Sequence, residues 1–407
     1  MSQPSTNRIS THSCVMLSLL GETLFGMTAN LPVEVDWDSV CAESFAQAVL
    51  PLVLSVARNH GIPSSVVKTW EDKETQLLAK NLRSDYDHAG LHRALKRNGV
   101  NYVAIKGCVS ASYYPNPSLR MMGDIDIFVK ENEMPSVDKT LKKLEFKQTD
   151  SNDFRHVSYQ RRDTEIEVHR GINGVPSGNI GKIVQKRLDG IVERAVPLKL
   201  LNGECMVLCP EDHGLVMLLH TALHMTNSGV GLRQICDFLV FANKYQSSEF
   251  ESLIKEIGLW KFASTLVKLG EQYMNMPHLS NYDEVDSRLV ESLVCDIIES
   301  GNFGKKDKDR YRQIKYITTL DKVKVDKNNF SQLLSSMNQK VWLSCDYVRK
   351  NKILYPVGWL QVGGHYIKQL ANGKRSLKTE TKTMDNANRR KAIYKDLQLF
   401  ENDKNER

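Results

Sequence analysis

Residues Val100–Lys130 read VNYVAIKGCVSASYYPNPSLRMMGDIDIFVK, and this stretch decides the fold. Val100–Ile105 is β-branched and aromatic and is bounded by Gly107, which predicts a buried strand. Cys108–Tyr114 reads as a short helix, stopped by Pro115 and Pro117. Asp124–Lys130 alternates polar and apolar residues, the period of a strand with one buried face. Asp124 and Asp126 therefore point the same way, with Cα atoms roughly 6.5 Å apart, while Ile125 and Ile127 turn into the core. A carboxylate pair so spaced suits one or two divalent cations. Hard oxygen ligands select Mg²⁺ or Mn²⁺ rather than zinc.

The flanking residues add a place for phosphate. Gly107 sits at a strand-to-helix turn, where backbone N–H groups can approach an anion at the helix N-terminus, and Lys106 adds charge. Arg120, shortly before Asp124, offers a planar fork of donors for a triphosphate. Downstream, His156–Arg161 and Thr164–His169 read as two further strands. Glu165 and Glu167 alternate on the second, and spacing alone leaves open which of them joins the aspartates. Three acids around two metals, beside a phosphate cradle, meet the needs of in-line attack on an α-phosphate.

The order of a strand, Lys106-Gly107, a helix, Arg120-Met121-Met122, the run GDIDIFV from Gly123 and a strand carrying Glu167-Val168-His169 resembles the bacterial "uncharacterised nucleotidyltransferase" family, within the DNA polymerase β-like nucleotidyltransferase superfamily. The resemblance is strong over Val100–Arg170. It continues through His213–Tyr245 and into Arg389–Phe400. It implies an α+β fold, with a polymerase-β-like core of a small mixed sheet and helices embedded in N- and C-terminal helical regions. It implies that Asp124, Asp126 and Glu167 are catalytic and bind metal, with Glu167 the third acid and base for the attacking hydroxyl. Lys106, Gly107, Arg120, Gly123 and Arg233 would then hold the nucleotide. The co-substrate would be an NTP such as ATP, the cofactor Mg²⁺ or Mn²⁺, and the acceptor a small molecule, glycan, protein or RNA. The superfamily has Gly-Ser at the phosphate turn, whereas Cys108 follows Gly107 here, and Lys106 is the candidate to replace the hydroxyl contact.

The chain has 407 residues, enough for two or three domains. Four regions are expected: a helical region over 1–97, the catalytic core over 98–200, a helical domain closing the cleft over 201–300, and a basic, mostly helical region over 301–407. Helices are predicted over Asp38–Ala57, capped by Asp38 or Ser39, and from Ser64 or Ser65 to about Asn98. Helical periodicity returns at Glu211. From residue 302 to 407, 24 Lys and Arg face 11 Asp and Glu, so the rest of the chain is net negative. With Trp342, Tyr347, Trp359 and Tyr366 among those cations, an RNA-binding role is one alternative. A nucleotide-binding regulator without turnover is another, because the usual Ser is lost at Cys108.

The eight cysteines are scattered and lack zinc-finger spacing, which reads as reduced thiols of a cytoplasmic protein. His220 and His224 share a helix face, but no Glu stands between them as a metalloprotease needs. They are expected in a packed pair or a pocket wall. Arg233 and Asp237 are spaced to pair with each other on one helix. No apolar run approaches a membrane span.

Overall fold

The computed structural model describes residues 9–149, 156–307, 310, 341, 347–348, 351, 354–361 and 377–401. They fall into two compact units. The described residues of the first lie within 9–225, 229–306 and 397–401, and those of the second within 226–228 and 307–396.

The first unit opens with helices. α1 (Thr11–Phe25) is capped by the Ser10 hydroxyl and ends at left-handed Gly26. The single helix expected over Asp38–Ala57 is instead two, α2 (Trp37–Ala46) and α3 (Leu50–Ala57). Asp36, rather than Asp38 or Ser39, caps α2, because its carboxylate takes both the N–H and the hydroxyl of Ser39. The break falls at Ala48, whose φ is 59°. Long-range bonds stabilise it: the Gln47 amide donates to the carbonyls of Ile297 and Ile298. α4 (Ser64–Arg97) is a single helix of 34 residues.

α4 lies against a seven-stranded mixed sheet, so the fold is α+β. The strands are β1 (Tyr102–Ala104), β2 (Ile125–Val129), β3 (Lys147–Thr149), β4 (His156–Arg161), β5 (Thr164–His169), β6 (Val196–Leu200) and β7 (Gly203–Val207). Their spatial order is β3-β4-β5-β2-β1-β7-β6. β2 runs antiparallel to β1 and parallel to β5, and β1 runs parallel to β7. Ile125, Ile127, Val129, Ile166 and Val168 form the sheet's core with Leu91 and Leu95 of α4 and with Val137 and Leu141 of α6 (Met134–Lys143). Burying these side chains is the main source of stability here. Between β1 and β2 lies the one-turn helix α5 (Cys108–Ala111).

After α7 (Gly178–Leu188) and the β6–β7 hairpin, the chain is helical: α8 (Pro210–Thr226), α9 (Leu232–Lys244), α10 (Ser248–Glu256), α11 (Trp260–Tyr273) and α12 (Ser287–Ser300). Gly214 lets three of them meet. A Cβ there would lie 2.5 Å from Phe250 and 2.7 Å from Phe241, both ring carbons.

In the second unit, helix Leu377–Asp396 presents Arg390, almost fully buried, to Asp307 at 3.0 Å. Val341 and Val348 pack with Tyr347, Leu354, Tyr355 and Trp359. Two of the aromatics read as possible RNA contacts thus belong to a small apolar cluster. Trp342 and Tyr366, with much of the basic region expected to be mostly helical over 301–407, lie outside the described residues. No described helix is long and apolar enough to cross a membrane.

Candidate active site

The register of β2 against β5 builds the site. Asp126 is the direct partner of Glu167 in the parallel ladder. Glu165 is exposed and paired with Gln160 of β4. Asp124 stands just before β2, exposed at the mouth of the cleft. One carboxylate oxygen each from Asp124, Asp126 and Glu167 falls within 4.8 Å of the others. The negative charge of Asp126, followed by partial loss of water around the carboxyl in the cleft, pushes Asp124 up to about 6. Crowded acids that resist losing their protons are what a bound cation relieves. Oxygen donors alone make up this set, so it fits a hard divalent ion.

Asp126 itself is 3% exposed and stays ionised. Burial opposes its charge, but Lys106 and His169 outweigh it and hold the carboxyl well below its ordinary range. Lys106 Nζ donates to Asp126 Oδ1 at 2.8 Å, and His169 Nε2 lies 2.8 Å from the same oxygen. His169 Nε2 is also 3.3 Å from Glu167, and His156 Nε2 is 3.6 Å from the other oxygen of Glu167. Sequence reasoning missed the positions of these two imidazoles. The signal was available, since His156 and His169 sit opposite each other across the β4–β5 pair.

The turn before the site is fixed from α4. Asn81, buried in mid-helix, accepts from the Met122 N–H at 2.8 Å and donates to the Ser118 carbonyl at 2.6 Å. A buried Asn within a polar helix was its only trace in the sequence. Gly107 caps α5 with φ 65° and ψ −102°, a conformation that favours glycine. A Cβ there would meet nothing closer than 3.9 Å, so the requirement is conformational rather than steric.

A cavity of about 260 Å³ opens over these groups. Asp124, Asp126, Glu167, Lys106, Gly107, Gly123, His220, His224 and Arg233 are among the residues that line it. Arg120 also reaches the lining, but its donors are committed. Nε and Nη2 bind the two oxygens of Asp237 at 2.8 and 2.7 Å. Asp237 is thus taken by Arg120, not by its helix neighbour Arg233. Arg233 instead donates to the Met121 carbonyl at 3.1 Å and lies over the Phe303 ring. Its buried Nε has no hydrogen-bond partner among the described residues. Burial, and then Arg120, lower its proton affinity. His220 and His224 meet Nε2 to Nε2 at 2.8 Å. Burial holds His220 well below its ordinary range and His224 at about 4, so both are neutral at pH 7.

A family model described as uncharacterised nucleotidyltransferase matches residues 33–275. The chain belongs to that nucleotidyltransferase family. The match spans α2 to α11 and so contains every residue of the cavity except Phe303. Among solved structures, the chain is similar to an antigenic nucleotidyltransferase-like protein from Paracoccidioides brasiliensis. The two are 14% identical, with 45% of this chain and 91% of that chain covered, at a TM-score of 0.31. No curated protein matches.

Proposed function

We propose that this chain transfers a nucleoside monophosphate from an NTP to an acceptor hydroxyl and releases pyrophosphate. One observation carries the reading: the β2–β5 register sets Asp126 beside Glu167, with Asp124 within reach of both, in the lining of a cavity that Lys106 and Arg233 also line. Asp124, Asp126 and Glu167 would hold Mg²⁺ or Mn²⁺, which supplies charge stabilisation at the α-phosphoryl group and orientation of the reacting oxygens. Lys106 and the Gly107 turn would face the terminal phosphates. Arg233, with a buried donor to spare, is better placed than Arg120 to add a second positive charge. Glu167, steadied by His169 and His156, would accept the proton of the attacking hydroxyl. The neutral His220–His224 pair would line the nucleotide or acceptor pocket.

The test is to incubate the purified chain with each α-labelled NTP, Mg²⁺ and a cell extract as the source of acceptor. The expected result is label transfer with pyrophosphate release, both lost in Asp124→Asn. Absence of transfer from all four NTPs, with the protein folded, overturns the proposal.

A further inference from the structure

Beside the Gly107 turn, where a Cβ would lie 3.9 Å from His88 Nε2, three further side chains converge. Cys108 Sγ lies 3.7 Å from Cys205 Sγ and 3.7 Å from His88 Nδ1. A ligand atom from each of the three falls within 4.8 Å of the others. They come from three elements: α4, the start of α5, and β7. All three are sealed: His88 is 1% exposed, Cys108 4% and Cys205 0%. Their side chains bond only one another, and His88 Nε2 has no partner among the described residues.

We propose that His88, Cys108 and Cys205 form a structural site for a soft cation, zinc in the first place, distinct from the carboxylate site. The spacing fits. Zinc–sulfur bonds of about 2.3 Å put two thiolates about 3.8 Å apart on a tetrahedron, and a thiolate and an imidazole nitrogen about 3.6 Å apart. The two separations from Cys108 are both 3.7 Å, and the Cys205 and His88 atoms lie within 4.8 Å of each other. The chemistry fits as well, since two thiolates and an imidazole are donors that zinc prefers and Mg²⁺ does not. Two thiolates cancel the charge of a divalent ion, which makes a buried site tolerable. A water or hydroxide would complete the tetrahedron.

The backbone approach supports the arrangement. A Cβ at Gly203, two residues before Cys205, would lie 3.2 Å from Ala89 Cβ, beside His88. A metal here would tie α4 and β7 to the residue that follows Gly107. Cys108, which departs from the superfamily's Ser, would thereby fix the phosphate turn.

The test uses the full chain, expressed in zinc-supplemented medium and purified without chelator, with metal measured by mass spectrometry. The expected result is about one zinc per chain, falling below about a tenth in Cys205→Ala and in His88→Gln. Asp124→Asn should keep its zinc, which separates this site from the carboxylates. Protein grown with cobalt should show the thiolate-to-cobalt charge-transfer band. That spectrum, with the wild-type metal content, decides the matter even if the variants do not fold. Folded wild-type protein with less than about a tenth of an equivalent of zinc, and no such band, overturns the proposal. So does zinc that survives both substitutions. A metal-free protein whose Cys108 and Cys205 close to a disulfide under mild oxidant overturns it in favour of a redox pair.

Discussion

Arg120 and Asp237, 117 residues apart in sequence, lock together in a buried two-pronged ion pair, with Tyr114 donating to the same carboxylate at 2.8 Å. Burial disfavours the guanidinium, but Asp237 more than offsets it and holds the proton more firmly than usual. The pair fastens α9 to the loop that leads into β2. It therefore sets the position of Asp124 and Asp126 without touching them.

Asp237→Ala should be strongly destabilising, because it leaves the Arg120 charge buried without its partner. A loss of about 3–5 kcal/mol is expected from denaturant unfolding. Replacing both partners, as Arg120→Met with Asp237→Leu, should recover much of it. A double variant as unstable as the sum of the singles would show no coupling between the two side chains and would refute the ion pair as the source of the loss.

How much of this was legible beforehand follows from the range of each interaction. β4 and β5 were read to the residue, since their alternation is local. Spacing left Glu165 and Glu167 equally open and only the resemblance singled out Glu167; the register of β2 against β5, which local periods do not give, puts Glu167 beside Asp126. The edge strand β3, Lys147–Thr149, is wholly exposed and carries no apolar alternation to detect. The β6–β7 hairpin was hidden because Val196–Leu200 is a partly exposed edge. α7 begins Gly-Asn-Ile-Gly, which reads as loop. The Arg120–Asp237 pair is the main failure of local reasoning. Spacing paired Asp237 with Arg233, and only the tertiary fold delivers Arg120.

Asp124→Asn is the clean probe of catalysis. The side chain is exposed to the cleft and crowded by Asp126, so its loss should leave the fold intact. Transfer should fall by at least about a hundredfold, since a misplaced cation no longer offsets the charge developing on the phosphoryl group. Asp126→Asn is less clean, because it strands Lys106 and His169. Pyrophosphate release by Asp124→Asn at the wild-type rate would place the chemistry elsewhere.

His213 gives a pH signature. It is fully buried between Tyr113 and Phe241, and burial lowers it to about 3. Its unfolded value is near 6.5. Between these limits the unfolded chain binds a proton that the native chain refuses, so stability falls as pH drops from about 6.5 towards 3. The contribution is on the order of a few kcal/mol at the acid end. His213→Gln, which keeps a group for the Ser110 hydroxyl, should unfold less steeply with acid across that window. Parallel stability–pH curves for the two proteins would refute the assignment.

Lys106 is bonded to Asp126 in this structure, so it stands where it can serve phosphate and also where it competes with a metal. The two roles predict opposite signs. Lys106→Met removes positive charge from Asp126 and should tighten binding of Mg²⁺ or Mn²⁺ measured without nucleotide. The same change removes a charged donor to the triphosphate. A hydrogen bond to a charged group contributes roughly 1.5–3 kcal/mol, so NTP affinity at saturating metal should fall about ten- to a hundredfold. Calorimetric titration of metal alone, and then of NTP, separates the two effects. If NTP affinity is unchanged while metal binding tightens, Lys106 is only the counter-ion of Asp126, and the phosphate contact must pass to Arg233. In that case Arg233→Ala should show the loss that Lys106→Met does not.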